Sequence, residues 1–157
     1  MREIPSLGER GGGWVVLQFA LIAAIFVAGV VGPSWPSGGR PLVVVGILVA
    51  LAGAAVAISA GRAHGRNLTP FPRPNPGAAL VENGPYRVVR HPVYAGGTFV
   101  FGGISIALSP AALAVTVALA IVWALKAQVE ERFLRAASPS YGAYCDRTRY
   151  RLIPLVY

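Results

Sequence analysis

The chain has 157 residues, 55% hydrophobic and 13% charged, with a mean hydropathy of +0.59 and a formal net charge of +8. Soluble domains carry roughly 25% charged residues, so an ordinary soluble domain is excluded, and the basic residues form no recognisable nucleic-acid motif. Cys145 is the only cysteine, which rules out an intramolecular disulfide and any multi-cysteine metal site.

Residues 1–13 form a polar leader ending in glycines. No charged side chain occurs from Gly11 to Gly39, and about 20 apolar residues cross a bilayer core, which predicts span one at about 14–31. That run exceeds a signal-peptide core of about 7–15 residues and is followed by no small-x-small cleavage site, so it is read as a retained span. "GPSWPSGGRP" turns the chain outside the membrane, with Trp35 at interface depth. The uncharged run from Pro41 to Gly61 predicts span two at about 41–60, where Gly53, Ala57 and Gly61 repeat the small-xxx-small spacing of closely approaching helices. In the loop 61–91, Pro70, Pro72, Pro74 and Pro76 impose an extended, stiff path.

The third uncharged run, Pro92 to Leu125, is interrupted by Ser109-Pro110, a serine cap followed by a first-turn proline. Two short spans, about 92–108 and 110–128, joined by a tight hairpin, are predicted. His91 is expected to cap span three, and span four is expected to continue as a helix past the membrane through Lys126, Glu130 and Arg135. Residues 129–157 form a polar, aromatic tail. The expected fold is all-α: one integral membrane domain, 1–157, built as a bundle of four transmembrane helices. Of the 14 basic residues, Arg40 alone falls on the opposite side of such a bundle, which places both termini in the cytoplasm by the positive-inside rule. The preference for arginine over lysine, with abundant alanine and glycine, points to a GC-rich prokaryotic genome and hence a prokaryotic cytoplasmic membrane.

No span carries a charged residue at its middle, which argues against ion-coupled transport. His64 and His91 stand far apart in the sequence with no metal-ligand spacing, and no metal site is expected. Polar chemistry must come from the loop, the start of span three and the end of span four. The hairpin brings the last two together. The start of span three offers free backbone N–H groups beside Arg90 and His91, flanked by Tyr86 and Tyr94, a place for a carboxylate. Glu130 and Glu131 emerge beside it, suited to a diol or an ammonium group, although Glu130 also stands at i,i+4 from Lys126. Such a site suits a ligand with carboxylate, amine, ribose and adenine, together with a lipophilic partner from the bilayer. Tyr141, Tyr144 and Tyr150 read as packing residues.

The stretch "LTPFPRPNPGAALVENGPYRVVRHPVYAGG", followed by "EERFL", "YGAY" and "RLIP", resembles the isoprenylcysteine carboxyl methyltransferase family, which is related to the phosphatidylethanolamine N-methyltransferases. The resemblance covers residues 61–157 and implies an integral membrane methyltransferase that uses S-adenosylmethionine and releases S-adenosylhomocysteine. It implies cofactor contacts at Leu80, Val81, Tyr86, His91, Pro92, Val93, Tyr94, Glu130 and Glu131. Arg90, Glu131 and Lys126 are the expected catalytic residues, the cations as holders of a carboxylate acceptor. The chain departs from many relatives at Ser138, where an aromatic residue is common, and it lacks the extra helices of eukaryotic members. The expected partners are a lipophilic or lipid acceptor and membrane lipids. O-methylation of a carboxylate is the first expectation, N-methylation of a phospholipid or amine the second. A nicotinamide-dependent sterol-reductase-like enzyme and a non-enzymatic scaffold are further alternatives.

Overall fold

The structure is a computed structural model that describes residues 4–36 and 39–154; Arg2 and part of the turn after span one lie outside these. It contains helices α1 (Gly12–Val31), α2 (Arg40–His64), α3 (Pro92–Leu108), α4 (Pro110–Ala137) and α5 (Tyr141–Arg147). Among the described residues there is no strand, only an isolated bridge between Val89 and Tyr150.

Three segments are long and apolar enough to cross a membrane: Gly12–Val31, Arg40–Asn67 and Pro110–Ala137. The segment expected as span three is an apolar helix of 17 residues. Its length is set by Ser109, whose hydroxyl accepts from Ala112 N–H at 3.1 Å and donates to Ala28 O at 2.9 Å. That pair of bonds closes the hairpin immediately after Leu108. Much of the apolar surface of α1 and α2 faces outward, including Val16, Val30, Leu48 and Leu51. Apolar exposure on this scale marks a protein solvated by lipid.

Helix α2 packs along α3, α3 along α4, and α4 along α1. The α2–α3 contact is backbone against backbone. A Cβ at Gly96 would lie 2.6 Å from Ala57 N and 2.7 Å from Gly53 O, and a Cβ at Gly103 would strike Gly46 O. The predicted small-residue stripe is therefore real at Gly53 and Ala57 but continues toward Gly46. Gly61 meets only Leu68 Cδ2, at 3.6 Å. Between α1, α3 and α4 the core is Ile25, Ala112, Leu119 and Trp123, with a buried hydroxyl pair, Ser105 and Thr116, at 2.7 Å.

Antiparallel packing gathers the start of α1, the end of α2, the start of α3 and the end of α4 at one pole. The loop between α2 and α3 follows no helix over residues 68–83, as its prolines require. It is clipped to the leader by Arg73 N–H on Arg10 O at 3.4 Å and by the Arg10 guanidinium 4.7 Å above the Phe71 ring. The tail folds beneath it as α5, burying Tyr141 and Tyr144.

Gly96→Val is expected to wedge α2 from α3 and to cost about 1–3 kcal/mol or more, as overpacking does, read as a lower unfolding temperature in detergent. Gly102→Ala, where a Cβ meets nothing within 4 Å, should leave that temperature unchanged or raise it.

Candidate functional site

Pro92 opens α3 with a ring suited to a first turn, which places His91 at the N-cap. The imidazole makes no capping hydrogen bond, contrary to expectation. Its ring lies nearly parallel to that of Tyr94 at 5.7 Å and 9°. Its nitrogens face the end of α4 instead, with Nδ1 3.8 Å from Glu130 Oε2 and Nε2 3.4 Å from Glu131 Oε1. Tyr94 stacks in turn on Trp123 at 5.8 Å and 15°, and its hydroxyl donates to Glu130 Oε2 at 2.8 Å.

The two glutamates have different surroundings. Glu131, 3% exposed at its side chain, accepts from Arg90 Nε at 2.9 Å and from Arg151 Nε at 3.1 Å. Arg90 Nη1 donates to the carbonyls of Thr148 at 2.7 Å and Arg149 at 2.8 Å. The tail backbone completes the junction: Arg90 N–H donates to Tyr150 O at 2.9 Å and His91 N–H to Arg151 O at 2.8 Å. Glu130 is more open, 23% exposed at its side chain. It forms no ion pair with Lys126 among the described residues. The Lys126 ammonium, fully buried, donates to Gln18 Oε1 at 2.5 Å and lies 5.2 Å from the centroid of Tyr94.

A cavity opens beside this junction. Of the residues expected at the site, Leu80, Val81, Tyr86, Arg90, His91, Val93, Tyr94 and Glu130 line it, while Pro92, Glu131 and Lys126 do not. His64 lines it too, although the sequence separates it widely from His91. The α2–α3 packing brings the end of one helix to the start of the other, and His64 Nδ1 lies 2.8 Å from Tyr86 Oη. Phe71, Tyr141 and Tyr144 complete part of the wall. Tyr144 behaves as expected of a packing residue, donating to Tyr86 O at 2.8 Å. Tyr141 is packed as tightly, 1% exposed, yet its hydroxyl has no hydrogen-bond partner among the described residues; His91 Nε2 forms no hydrogen bond there either, its contact to Glu131 Oε1 being 3.4 Å long. Burial, then Glu130, raises the pKa of Tyr86, and burial, then Glu131, raises that of Tyr141. Both phenols thus stay protonated at neutral pH. The i,i+3 spacing of "YGAY" was the one signal for Tyr141; nothing local in the sequence marks Phe71.

The sequence profile of the phospholipid methyltransferase family matches residues 41–140, from α2 to the start of the tail. The cobalt-zinc-cadmium resistance protein CzcN of Cupriavidus metallidurans is 37% identical over 73 residues, covering 44% of this chain and 33% of CzcN. The chain therefore spans about a third of that relative's length.

Because Glu131 holds three elements together, Glu131→Gln is expected to cost about 2–4 kcal/mol, the range for breaking a buried, hydrogen-bonded ion pair. Glu130→Gln, which keeps an acceptor for Tyr94, should stay within about 1 kcal/mol of the parent. Chemical unfolding in detergent followed by far-UV circular dichroism compares the two.

Proposed function

The chain belongs to the phospholipid methyltransferase family, and from that premise we propose that it is an S-adenosylmethionine-dependent methyltransferase acting on a lipophilic acceptor at the membrane surface. In this reading α3 is the third and shortest of four spans in a single domain covering 1–157. The pole carrying the cavity faces the cytoplasm of a prokaryotic cell, with both termini on that side.

The observation that carries the reading is that one cavity wall brings together His91, the accessible carboxylate of Glu130 and Tyr141, whose buried hydroxyl has no hydrogen-bond partner among the described residues. These groups suit a ligand that has acceptor and donor groups of its own. The aromatic faces of Phe71, Tyr86 and Tyr94 and the apolar Leu80, Val81 and Val93 suit an adenosine. Leu80, Val81, Tyr86, His91, Val93, Tyr94, Glu130 and Tyr141 are the proposed cofactor residues. Pro92 and Glu131 act from behind the wall, by shaping the start of α3 and holding Arg90 and His91. When bound, S-adenosylmethionine supplies an electrophilic methyl group for in-line transfer, which leaves alignment and exclusion of water to the protein.

The acceptor depends on which groups remain available. A carboxylate acceptor, suggested by the resemblance to the isoprenylcysteine carboxyl methyltransferases, was expected to be held by Arg90 or Lys126. The guanidinium of Arg90 is bonded to Glu131 and two carbonyls, and Lys126 to Gln18. Besides Arg90 and the tyrosines, the ionisable groups that line the cavity are proton acceptors, His64, His91 and Glu130. An amine or hydroxyl acceptor must lose a proton, and these groups can take it. We therefore put N- or O-methylation of a protonated lipophilic headgroup first and carboxylate O-methylation second.

Membranes holding the protein, supplied with methyl-labelled S-adenosylmethionine and hydrophobic amines, phenols and carboxylic acids in turn, should yield organic-soluble label. The product mass and its resistance to mild base separate amines and phenols from methyl esters. His91→Ala is expected to lower transfer by about a hundredfold or more, the scale of a lost acid–base group. Unchanged transfer in His91→Ala, or base-labile esters alone, would sink the site or the acceptor assignment respectively.

A further inference from the structure

Helix α1 lies outside the matched family region, residues 41–140, yet it sends one polar side chain into the bundle. In "GGWVVLQFALIAAIFVAGVV", Gln18 is the single hydrogen-bonding side chain besides the indole of Trp14. It is 7% exposed and faces α4 rather than lipid. A polar group at this depth needs a partner, and Gln18 Oε1 has two: it accepts from Trp123 Nε1 at 3.2 Å and from Lys126 Nζ at 2.5 Å.

Those two donors are the residues that hold Tyr94. Trp123 and His91 each lie near-parallel to the phenol ring, and the Lys126 ammonium is poised over it 5.2 Å from its centroid. The hydroxyl of the same ring donates to Glu130 Oε2 at 2.8 Å. An ammonium near a phenol ring is attracted to its face and strengthens the hydrogen bond that the hydroxyl gives to a carboxylate. Helix association alone does not account for Lys126. A buried ammonium beside a neutral amide is costly where an apolar residue would pack freely, and ionisable residues inside membrane helices are retained for function.

We propose that Gln18 is a positioning residue for the cofactor site: its amide oxygen fixes Trp123 and Lys126 around Tyr94 and so aims the Tyr94 hydroxyl at Glu130. The proposal rests on the cofactor reading given above. It makes α1 part of the machinery rather than a membrane anchor, and it predicts a linear order of action, Gln18 through Lys126 and Trp123 to Tyr94 and Glu130.

The test is calorimetric binding of S-adenosylhomocysteine to the purified full chain in detergent. Gln18→Met keeps the length of the side chain and removes the acceptor; Gln18→Glu keeps an acceptor oxygen. Gln18→Met should weaken binding roughly three- to fifteen-fold, the scale of one interhelical hydrogen bond in a membrane protein, and Gln18→Glu should restore it to near the parent. In a Tyr94→Phe background, where the hydroxyl is absent, Gln18→Met should add almost nothing. A purely structural role would weaken binding equally in both backgrounds. Lys126→Met, which breaks the same link from α4, serves if Gln18→Met does not fold, and the same non-additivity is expected. Parent binding with unchanged affinity in Gln18→Met, or full additivity with Tyr94→Phe, overturns the positioning role and leaves the cofactor site standing. No binding by the parent overturns both.

Discussion

The buried carboxylate of Glu131 is the interaction on which the rest of the cavity depends. It sits at the end of α4, yet its partners come from the start of α3, Arg90 and His91, and from the tail, Arg151. Arg90 then reaches two tail carbonyls. One negative charge in a low-dielectric setting therefore fixes the relative position of three chain segments far apart in sequence. A buried charge is costly to isolate, so the three segments are held together or the junction fails as a unit. Arg90 follows from this: its Nε and Nη1 donate within the junction while the residue also lines the cavity.

Around that junction, division of labour between the paired glutamates follows from the geometry of a helix. Adjacent positions on α4 point about 100° apart, so Glu131 turns inward to the cations while Glu130 turns to Tyr94 and the cavity. The backbone contact between α2 and α3 sets the remaining wall. Gly46, Gly53, Gly96 and Gly103 let the helices approach until the end of α2 stands beside the start of α3. That approach brings His64 to Tyr86. In the proposed reading, a fold built for lipid thus gathers nearly all of its polar chemistry at one pole, where a charged cofactor and a lipophilic acceptor can meet.

Much of this was legible in the residues. Uncharged runs marked the helices, Ser109-Pro110 marked the hairpin, and the antiparallel arrangement of the last two spans brought "RHPVY" to "EE". Glu130, His91 and Tyr94 do come together as that reasoning required. Four things were hidden, each for a physical reason. Gln18 sits in an apolar helix, and only the packing of α1 on α4 reveals that it faces Lys126 rather than lipid. The i,i+4 pairing of Lys126 with Glu130 was plausible on an isolated helix, where neighbours compete only with water; inside the bundle the amide of Gln18 and the face of Tyr94 take the ammonium. His64 belongs to the site because two glycine-lined helices touch, a contact between residues that no local motif links. The length of α3 was legible as a short span, but the bond from Ser109 to Ala28 that ties its end to α1 was not.

The central claim is that the cavity at this pole binds an adenosyl cofactor of methyl transfer. Its most direct test is the thermal stability of the detergent-purified protein with S-adenosylmethionine, S-adenosylhomocysteine or NADPH. A ligand that binds only the folded state at about 100 times its Kd adds roughly 2.7 kcal/mol. The account predicts a clear upward shift with both adenosyl compounds and none with NADPH. A shift with NADPH alone would contradict it in favour of a reductase, and no shift with any of the three would contradict the cofactor site itself.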